Sequence, residues 1–152
     1  MSSRRVLAGL IVSLLAAGCV AHPVGPARSV ESYERKANTT AESALSAVET
    51  VRLLAGAGSD GHALATYLSV AVSEQEDALG GLRGTFMSIQ PPEGVESAAL
   101  RDELSTILTS AFDHVGDVRI EIRRGHVGEL DIVAEPLAAD ATELRALMEQ
   151  LS

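Results

Sequence analysis

Apolar residues recur at intervals of three and four along most of this chain, from residue 30 almost to its last residue. On a helix this spacing forms one apolar stripe, so it predicts four amphipathic helices. The four stripes are Val30, Tyr33, Ala37, Ala41, Ala44, Val48, Val51 and Leu54; Leu64, Leu68, Ala71, Gln75, Ala78, Leu82 and Ile89; Leu100, Leu104, Ile107, Ala111, Val115, Val118 and Ile122; and Leu130, Val133, Leu137, Ala141, Leu144, Met148 and Leu151. Four such helices with short connections favour an all-α fold, an antiparallel up-down-up-down four-helix bundle over residues 30–152.

Glycine, proline and capping residues predict where the first two helices end and begin. We expect Gly56 and Gly58 to close the first helix, because glycine adopts the left-handed conformation common at helix ends. Ser59 or Asp60 is expected to cap the second helix by accepting its free backbone N–H groups. The second helix is expected to stop before residues 91–92, two prolines that cannot extend the hydrogen-bond ladder.

Two segments in the second half of the chain allow more than one interpretation. Within residues 118–133 a helix is predicted to end at Gly125. The alternation of apolar and polar residues in this segment also fits a β-hairpin that turns at that glycine. The fourth helix is predicted over about residues 128–151, with Pro136 inside it. Either this helix is kinked at Pro136, or a short helical segment ends before it and the main helix starts there.

The first twenty residues follow a different pattern. Arg4 and Arg5 precede an apolar run over residues 6–17, small residues follow, and Cys19 comes next. This order is typical of a secretory signal peptide. The apolar run is too short for a membrane-spanning helix, which needs about 20 apolar residues.

The end of this run, Leu15-Ala16-Ala17-Gly18-Cys19, resembles the lipobox of bacterial lipoproteins. The pattern departs from that family in one place, since Ala16 stands three residues before the cysteine where leucine is usual. The resemblance implies cleavage between Gly18 and Cys19 and attachment of diacylglycerol to the Cys19 thiol, which would hold the protein on a lipid bilayer. Because Val20 follows the cysteine, the resemblance also permits delivery to the outer membrane of a two-membrane cell.

The resemblance divides the chain into three parts. Residues 1–18 are the expected signal peptide, residues 19–29 the lipidated cysteine and a flexible tether, and residues 30–152 the helical domain. Residues 3–7 also partly resemble a twin-arginine export signal, the alternative to the general secretory route.

Composition restricts the possible partners. The chain carries a formal net charge of −9, and removal of Arg4 and Arg5 with the signal peptide would leave −11. With two Tyr, two Phe and no Trp, the acidic chain lacks the basic patches and stacking platforms of nucleic-acid-binding proteins. Its acidity also argues against a second docking face for anionic lipid. A single cysteine permits no internal disulfide.

No motif in the sequence commits it to a chemistry. Glu-x-x-His pairs, Cys-x-x-Cys-His, His-Glu-x-x-His, phosphate loops of the Gly-x-x-x-x-Gly-Lys type and a Gly-x-Ser-x-Gly nucleophile elbow are all absent. We therefore predict no catalytic, cofactor-binding or metal-ligating residue, no cofactor, and a protein that is not an enzyme.

One pair of polar residues stands out within the predicted helices. Aligning the second and third helices brings Gln75 and His114 to a similar depth, either as a polar contact in the core or as polar points of a ligand pocket. Tyr33 or Tyr67 would add further polar contacts to such a pocket. A non-covalent haem or metal site with His114 as ligand is a third interpretation.

These features favour a lipid-anchored module on the outer side of the cell membrane. Its expected role is binding or scaffolding without catalysis, with an envelope protein as the expected partner. The alternative is a small-ligand carrier or sensor with its pocket between the bundle helices.

Overall fold

A computed structural model describes residues 29–152, and helices make up most of this range. In chain order the elements are α1 (Val30–Ser59), α2 (Ala65–Ser88), α3 (Val95–Arg124), a 3₁₀ turn (Val127–Glu129), α4 (Leu130–Val133) and α5 (Leu137–Gln150). The predicted all-α class is therefore confirmed, with three long helices packed together and two shorter ones. Gly18, Cys19 and the rest of the predicted signal peptide and tether up to residue 28 lie outside the described residues.

The hairpin alternative for residues 118–133 is wrong, because α3 continues through this segment to Arg124. Val118 and Ile122 are both buried on the stripe that begins earlier in α3, so helical packing uses the same apolar residues. Gly125 ends the helix with a φ of +83°, a left-handed conformation that glycine adopts without strain.

The boundary between α1 and α2 differs from the prediction. α1 runs past Gly56 and Gly58 to Ser59, and α2 begins with Leu64 at its N-cap position and no side-chain cap. Gly58 is buried, and a Cβ there would lie 2.9 Å from the Leu68 Cδ1 atom. This glycine therefore serves the close packing of two helices, and it does not terminate α1.

Ser59 caps a different helix from the one expected. Its Oγ accepts a hydrogen bond from the backbone N–H of Asp131 (2.9 Å) and donates one to Asp131 Oδ1 (2.7 Å). The end of α1 is thereby joined to the first turn of α4, 72 residues later in the chain.

Pro136 separates the predicted fourth helix into two pieces. α4 ends at Val133, and Pro136 occupies the N-cap position of α5 with helical φ and ψ. Proline is favourable there, since its missing N–H would have no partner in the first turn of a helix. Of the two interpretations of this segment, the split helix is the one observed.

The helices α1 and α2 run antiparallel. Tyr33, near the start of α1, packs against Phe86 near the end of α2, with ring centroids 5.6 Å apart. Gly58, near the end of α1, packs against Leu68 near the start of α2. α1 also packs against α3 and α5. It can approach all three closely because small residues form much of its buried face, namely Ala37, Ala41, Ala44, Ala47 and Ala55.

None of the helices between residues 29 and 152 has the length and apolar composition required to cross a bilayer.

Candidate functional site

Among the residues that the structure describes, Asp140 is the one acidic residue that is buried, with 3 % of its surface exposed. Ser110 Oγ donates a hydrogen bond to Asp140 Oδ1 (2.8 Å), and His114 Nδ1 lies 2.7 Å from Asp140 Oδ2. Ser110 and His114 are one helical turn apart on α3, so both reach the same carboxylate on α5. The cluster therefore joins α3 to α5 through three side chains.

Local structure explains why a carboxylate is tolerated at this buried position. Asp140 lies in the first turn of α5, where the helix dipole favours negative charge. A buried carboxylate without hydrogen bonds would lower the stability of the fold by roughly several kcal/mol. In Asp140 each carboxylate oxygen has a partner. The acid is therefore stable in the core because Ser110 and His114 are there to pair with it.

The geometry of this cluster differs from that of a nucleophilic triad. In a triad the serine hydroxyl donates to the imidazole and the imidazole to the carboxylate. Here Ser110 and His114 both bind Asp140, so the hydroxyl is directed toward the acid and no base activates it. Between residues 29 and 152 no group of three or more His, Cys, Asp or Glu side chains is arranged to hold a metal ion.

The structure places His114 of α3 beside Asp140 of α5. Gln75 is half-buried on α2, next to Glu76, whose Oε1 would lie 3.5 Å from a Cβ at Gly116 on α3. The hydrogen-bond partner of His114 is Asp140 and not Gln75. A pocket formed by Gln75 and His114 stays a prediction.

The two tyrosines lie in different environments. Tyr33 is fully buried beside Phe86, and its hydroxyl has no hydrogen-bond partner in the described structure. Burial raises the pKa of this hydroxyl, an effect that the nearby charge of Arg101 partly offsets. Arg101 and His114 are 13 residues apart on α3, about 20 Å, so Tyr33 and the Asp140 cluster belong to different regions of the core. Tyr67 is 60 % exposed.

Sequence reasoning missed Asp140, although the pattern contained a signal for it. Asp140 lies three residues after Leu137 and four before Leu144, which places it on the apolar stripe of α5. An acid at such a position is buried unless the helix turns away, and a buried acid requires partners. Looking for Ser, His or Arg on neighbouring stripes would have led to Ser110 and His114.

Two arginines make further connections between helices. Arg119 of α3 binds both carboxylate oxygens of Glu76 on α2, and Arg145 of α5 binds Glu49 on α1, which also accepts from Arg52 at 2.8 Å. Burial disfavours the charged form of Glu49, but the hydrogen bonds from Arg145 and Arg52 outweigh this and hold the pKa of its carboxyl below the ordinary value. These contacts fix the relative positions of neighbouring helices.

The solvent side of α2 carries the densest group of exposed apolar residues. Leu64, Tyr67 and Val70 are 76 %, 60 % and 61 % exposed, and no other seven-residue segment of the described range holds two exposed large apolar residues. We define the outer face of α2 as Tyr67, Val70, Glu74, Asp77, Gly81 and Gly84, all of which are exposed. Exposed apolar groups of this kind mark interaction surfaces more often than scattered ones do.

No protein-family model, no curated protein and no solved structure matches this chain.

Proposed function

We propose that this protein is a lipid-anchored, non-catalytic binding module of the bacterial cell envelope, whose partner is another protein. The observation that carries the anchor is the sequence Leu15-Ala16-Ala17-Gly18-Cys19 at the end of an apolar run, with the only cysteine of the chain as its last residue. Two acyl chains on Cys19 would bind a bilayer firmly, since each buried methylene contributes about 0.8 kcal/mol.

The outer face of α2 supports the binding role. A folded domain gains stability by burying its large apolar side chains, at about 25 cal/mol for each Å². Tyr67 and Val70 of this face, and Leu64 one turn before Tyr67, are more than half exposed and therefore gain little of this energy within the described chain. A partner that covered them would gain this energy on association, and tyrosine is among the residues enriched at protein interfaces.

The arrangement we propose for the domain is an up-down-up-down four-helix bundle of α1, α2, α3 and α5. Pairs of contacts at two levels support antiparallel packing at three of the helix pairs. Tyr33 lies against Phe86 and Gly58 against Leu68 for α1 and α2. Gly80 lies against Phe112 and Glu76 binds Arg119 for α2 and α3. Val30 and Leu151 line one cavity, and Gly56 and Ala138 line another, for α1 and α5. In such a bundle each helix keeps one side toward solvent, and on α2 that side is the outer face.

Mass spectrometry of the purified full-length product tests the anchor directly. We expect a mature chain that begins at Cys19 and carries a diacylglycerol thioether on it. An unmodified thiol at the mature amino terminus would contradict the proposal.

Replacement of the cysteine gives a second test in cells. A Cys19→Ala protein is expected to leave the carbonate-washed membrane fraction while its circular dichroism stays helical. His22→Ala, a change in the predicted tether, serves as the matched control and should remain with the membranes. A Cys19→Ala protein that still sediments with washed membranes would refute the lipid anchor.

A further inference from the structure

The outer face of α2 combines an apolar end, unpaired acids and bare backbone on one side of a single helix. Its residues follow one another at steps of three and four, so they form one stripe about 26 Å long between Tyr67 and Gly84. The buried residues of α2 form a separate stripe, namely Leu68, Val72, Leu79 and Phe86. From this combination we infer that α2 docks a basic amphipathic helix of a partner protein, a conclusion that rests on the proposed binding role and specifies the partner's chemistry.

Two glycines of the stripe have no packing reason within the domain. A Cβ at Gly81 or Gly84 would meet nothing within 4 Å, whereas a Cβ at the neighbouring Gly80 would lie 3.3 Å from the Phe112 ring. Glycine inside a helix weakens it, so two exposed glycines reduce the stability of α2 without any gain in the isolated chain. They do leave the backbone uncovered, which allows a second helix to lie unusually close to α2.

Glu74 and Asp77 determine the charge of that second helix. Both carboxylates are exposed, and neither forms an ion pair with any residue between 29 and 152. Arg83, the one arginine of α2, lies over the Phe112 ring at 4.8 Å, and Arg119 of α3 binds Glu76. A stripe with two free acids and no cation is complementary to lysine or arginine side chains.

The same charges argue against two other occupants. A second copy of the chain would bring its own Glu74 and Asp77 against this stripe, and like charges in contact oppose association. An anionic membrane surface is repelled for the same reason. The occupant that satisfies all three features is a helix with apolar residues for Tyr67 and Val70, small residues opposite the glycines, and cations opposite the acids.

A labelled 18-residue peptide of leucine, alanine and lysine at helical spacing is a suitable probe, with its alanines placed to face the glycines. The same peptide with glutamate in place of every lysine is its control. Fluorescence anisotropy with the full-length protein is expected to show binding of the lysine peptide only. Glu74→Lys combined with Asp77→Lys should weaken binding about tenfold or more. Asp113→Lys combined with Asp117→Lys changes the net charge equally on exposed positions of α3, and it should weaken binding less than about twofold.

The role of Gly81 and Gly84 in binding is tested by placing side chains in the space above them. Gly81→Leu with Gly84→Leu is expected to weaken peptide binding about tenfold or more while the protein stays folded by circular dichroism, because both positions are exposed and a Cβ at either meets no atom within 4 Å. Gly56→Leu, at an equally open glycine of α1, should leave binding unchanged. Equal losses in the two charge-reversed proteins, or unchanged binding in the double leucine variant, would overturn the inference.

Two more measurements separate this inference from its competitors and from the anchor. Sedimentation velocity that shows a dimer dissociated by Gly81→Leu, or binding to anionic vesicles that depends on Tyr67 and Val70, would overturn it in favour of a second copy or a lipid. If the stripe fails these tests while Cys19 carries its lipid, the docking inference falls and the anchor stands. If Cys19 is unmodified while the stripe selects the lysine peptide, the lipid anchor is refuted and the docking inference is supported.

Discussion

Glycine has opposite roles at different positions of this chain. At Gly58 the absent side chain makes room for Leu68 and Leu130, whose Cδ1 atoms would lie 2.9 and 3.0 Å from a Cβ. At Gly81 and Gly84 it leaves open solvent. The effect of adding one methyl group should therefore change sign along the sequence.

We expect Gly81→Ala and Gly84→Ala each to raise the free energy of unfolding by about 1 kcal/mol, the difference in helix propensity between the two residues. Gly58→Ala is expected to lower it by about 1–3 kcal/mol, because two fully buried leucines must shift to accommodate the Cβ. Urea unfolding followed by circular dichroism measures all three. A destabilised Gly81→Ala protein would show that this position has a neighbour within the domain.

The Asp140 cluster makes a second prediction for single residues. Asp140→Ala removes the partner of both Ser110 and His114, so it should lower the free energy of unfolding by about 1–3 kcal/mol. Asp113→Ala, an exposed acid on α3, should change it by less than about 0.5 kcal/mol. Similar effects of the two substitutions in urea unfolding would contradict a stabilising role of the cluster.

The elements of the fold were predicted better than their boundaries. The spacing of apolar residues predicted the helical class, because this spacing shows which residues must be buried together on one side of each helix. The end of α1 was missed because tertiary packing at Gly58 overrides the local preference of glycine for helix ends. Ser59 was assigned to the nearest helix in sequence, whereas the fold uses it on α4, and no local pattern encodes that contact.

The site was predicted less well than the fold, for a related reason. His114 lies at the edge of its stripe, so its depth along the bundle could be predicted, but the stripe does not determine whether α2 or α5 faces it. Gln75 was predicted as the partner of His114 because the two residues lie at a similar depth on α2 and α3, and this comparison did not include α5. Asp140 entered the core through the packing of α5, which depends on how Pro136 separates it from α4.

The ion pairs of Glu49 predict how the stability of the fold depends on pH. Because Arg145 and Arg52 hold the pKa of Glu49 below its ordinary value of 4.5, the ionised carboxylate stabilises the fold at neutral pH. This contribution is lost as the pH falls through the lowered pKa of the folded state, where the carboxyl becomes protonated.

Glu49→Gln should therefore lower the free energy of unfolding at pH 7 by at most about 1 kcal/mol, since the pair is partly exposed. Its difference from the unmodified protein should shrink as the pH falls from 5 to 3. Glu143→Gln, a change at an exposed acid of α5, serves as the control and should change the free energy of unfolding at pH 7 by less than about 0.5 kcal/mol. A difference that persists at pH 3 in urea titrations would contradict the ionic origin of the contribution.

At the scale of the whole molecule, the described helices bury a continuous apolar core of their own. A chain of residues 29–152 is therefore expected to fold alone, with an α-helical spectrum and a cooperative urea transition. Its midpoint should match that of the full-length Cys19→Ala protein. A lower midpoint for the shorter chain would show that residues before Ser29 contribute to stability.

The direction of α1 determines how far from Val30 the outer face of α2 begins. α1 begins at Val30, directly after the predicted tether, and Gly58 meets Leu68 near the start of α2, about 42 Å further along the helix axis. Ten extended residues between Cys19 and α1 would add up to about 33 Å. On a protein held by its lipidated cysteine, Tyr67 and Val70 would thus reach as far as about 75 Å from the bilayer surface. Under the proposed anchor and docking, that reach would set the radius within which a partner presents its own helix.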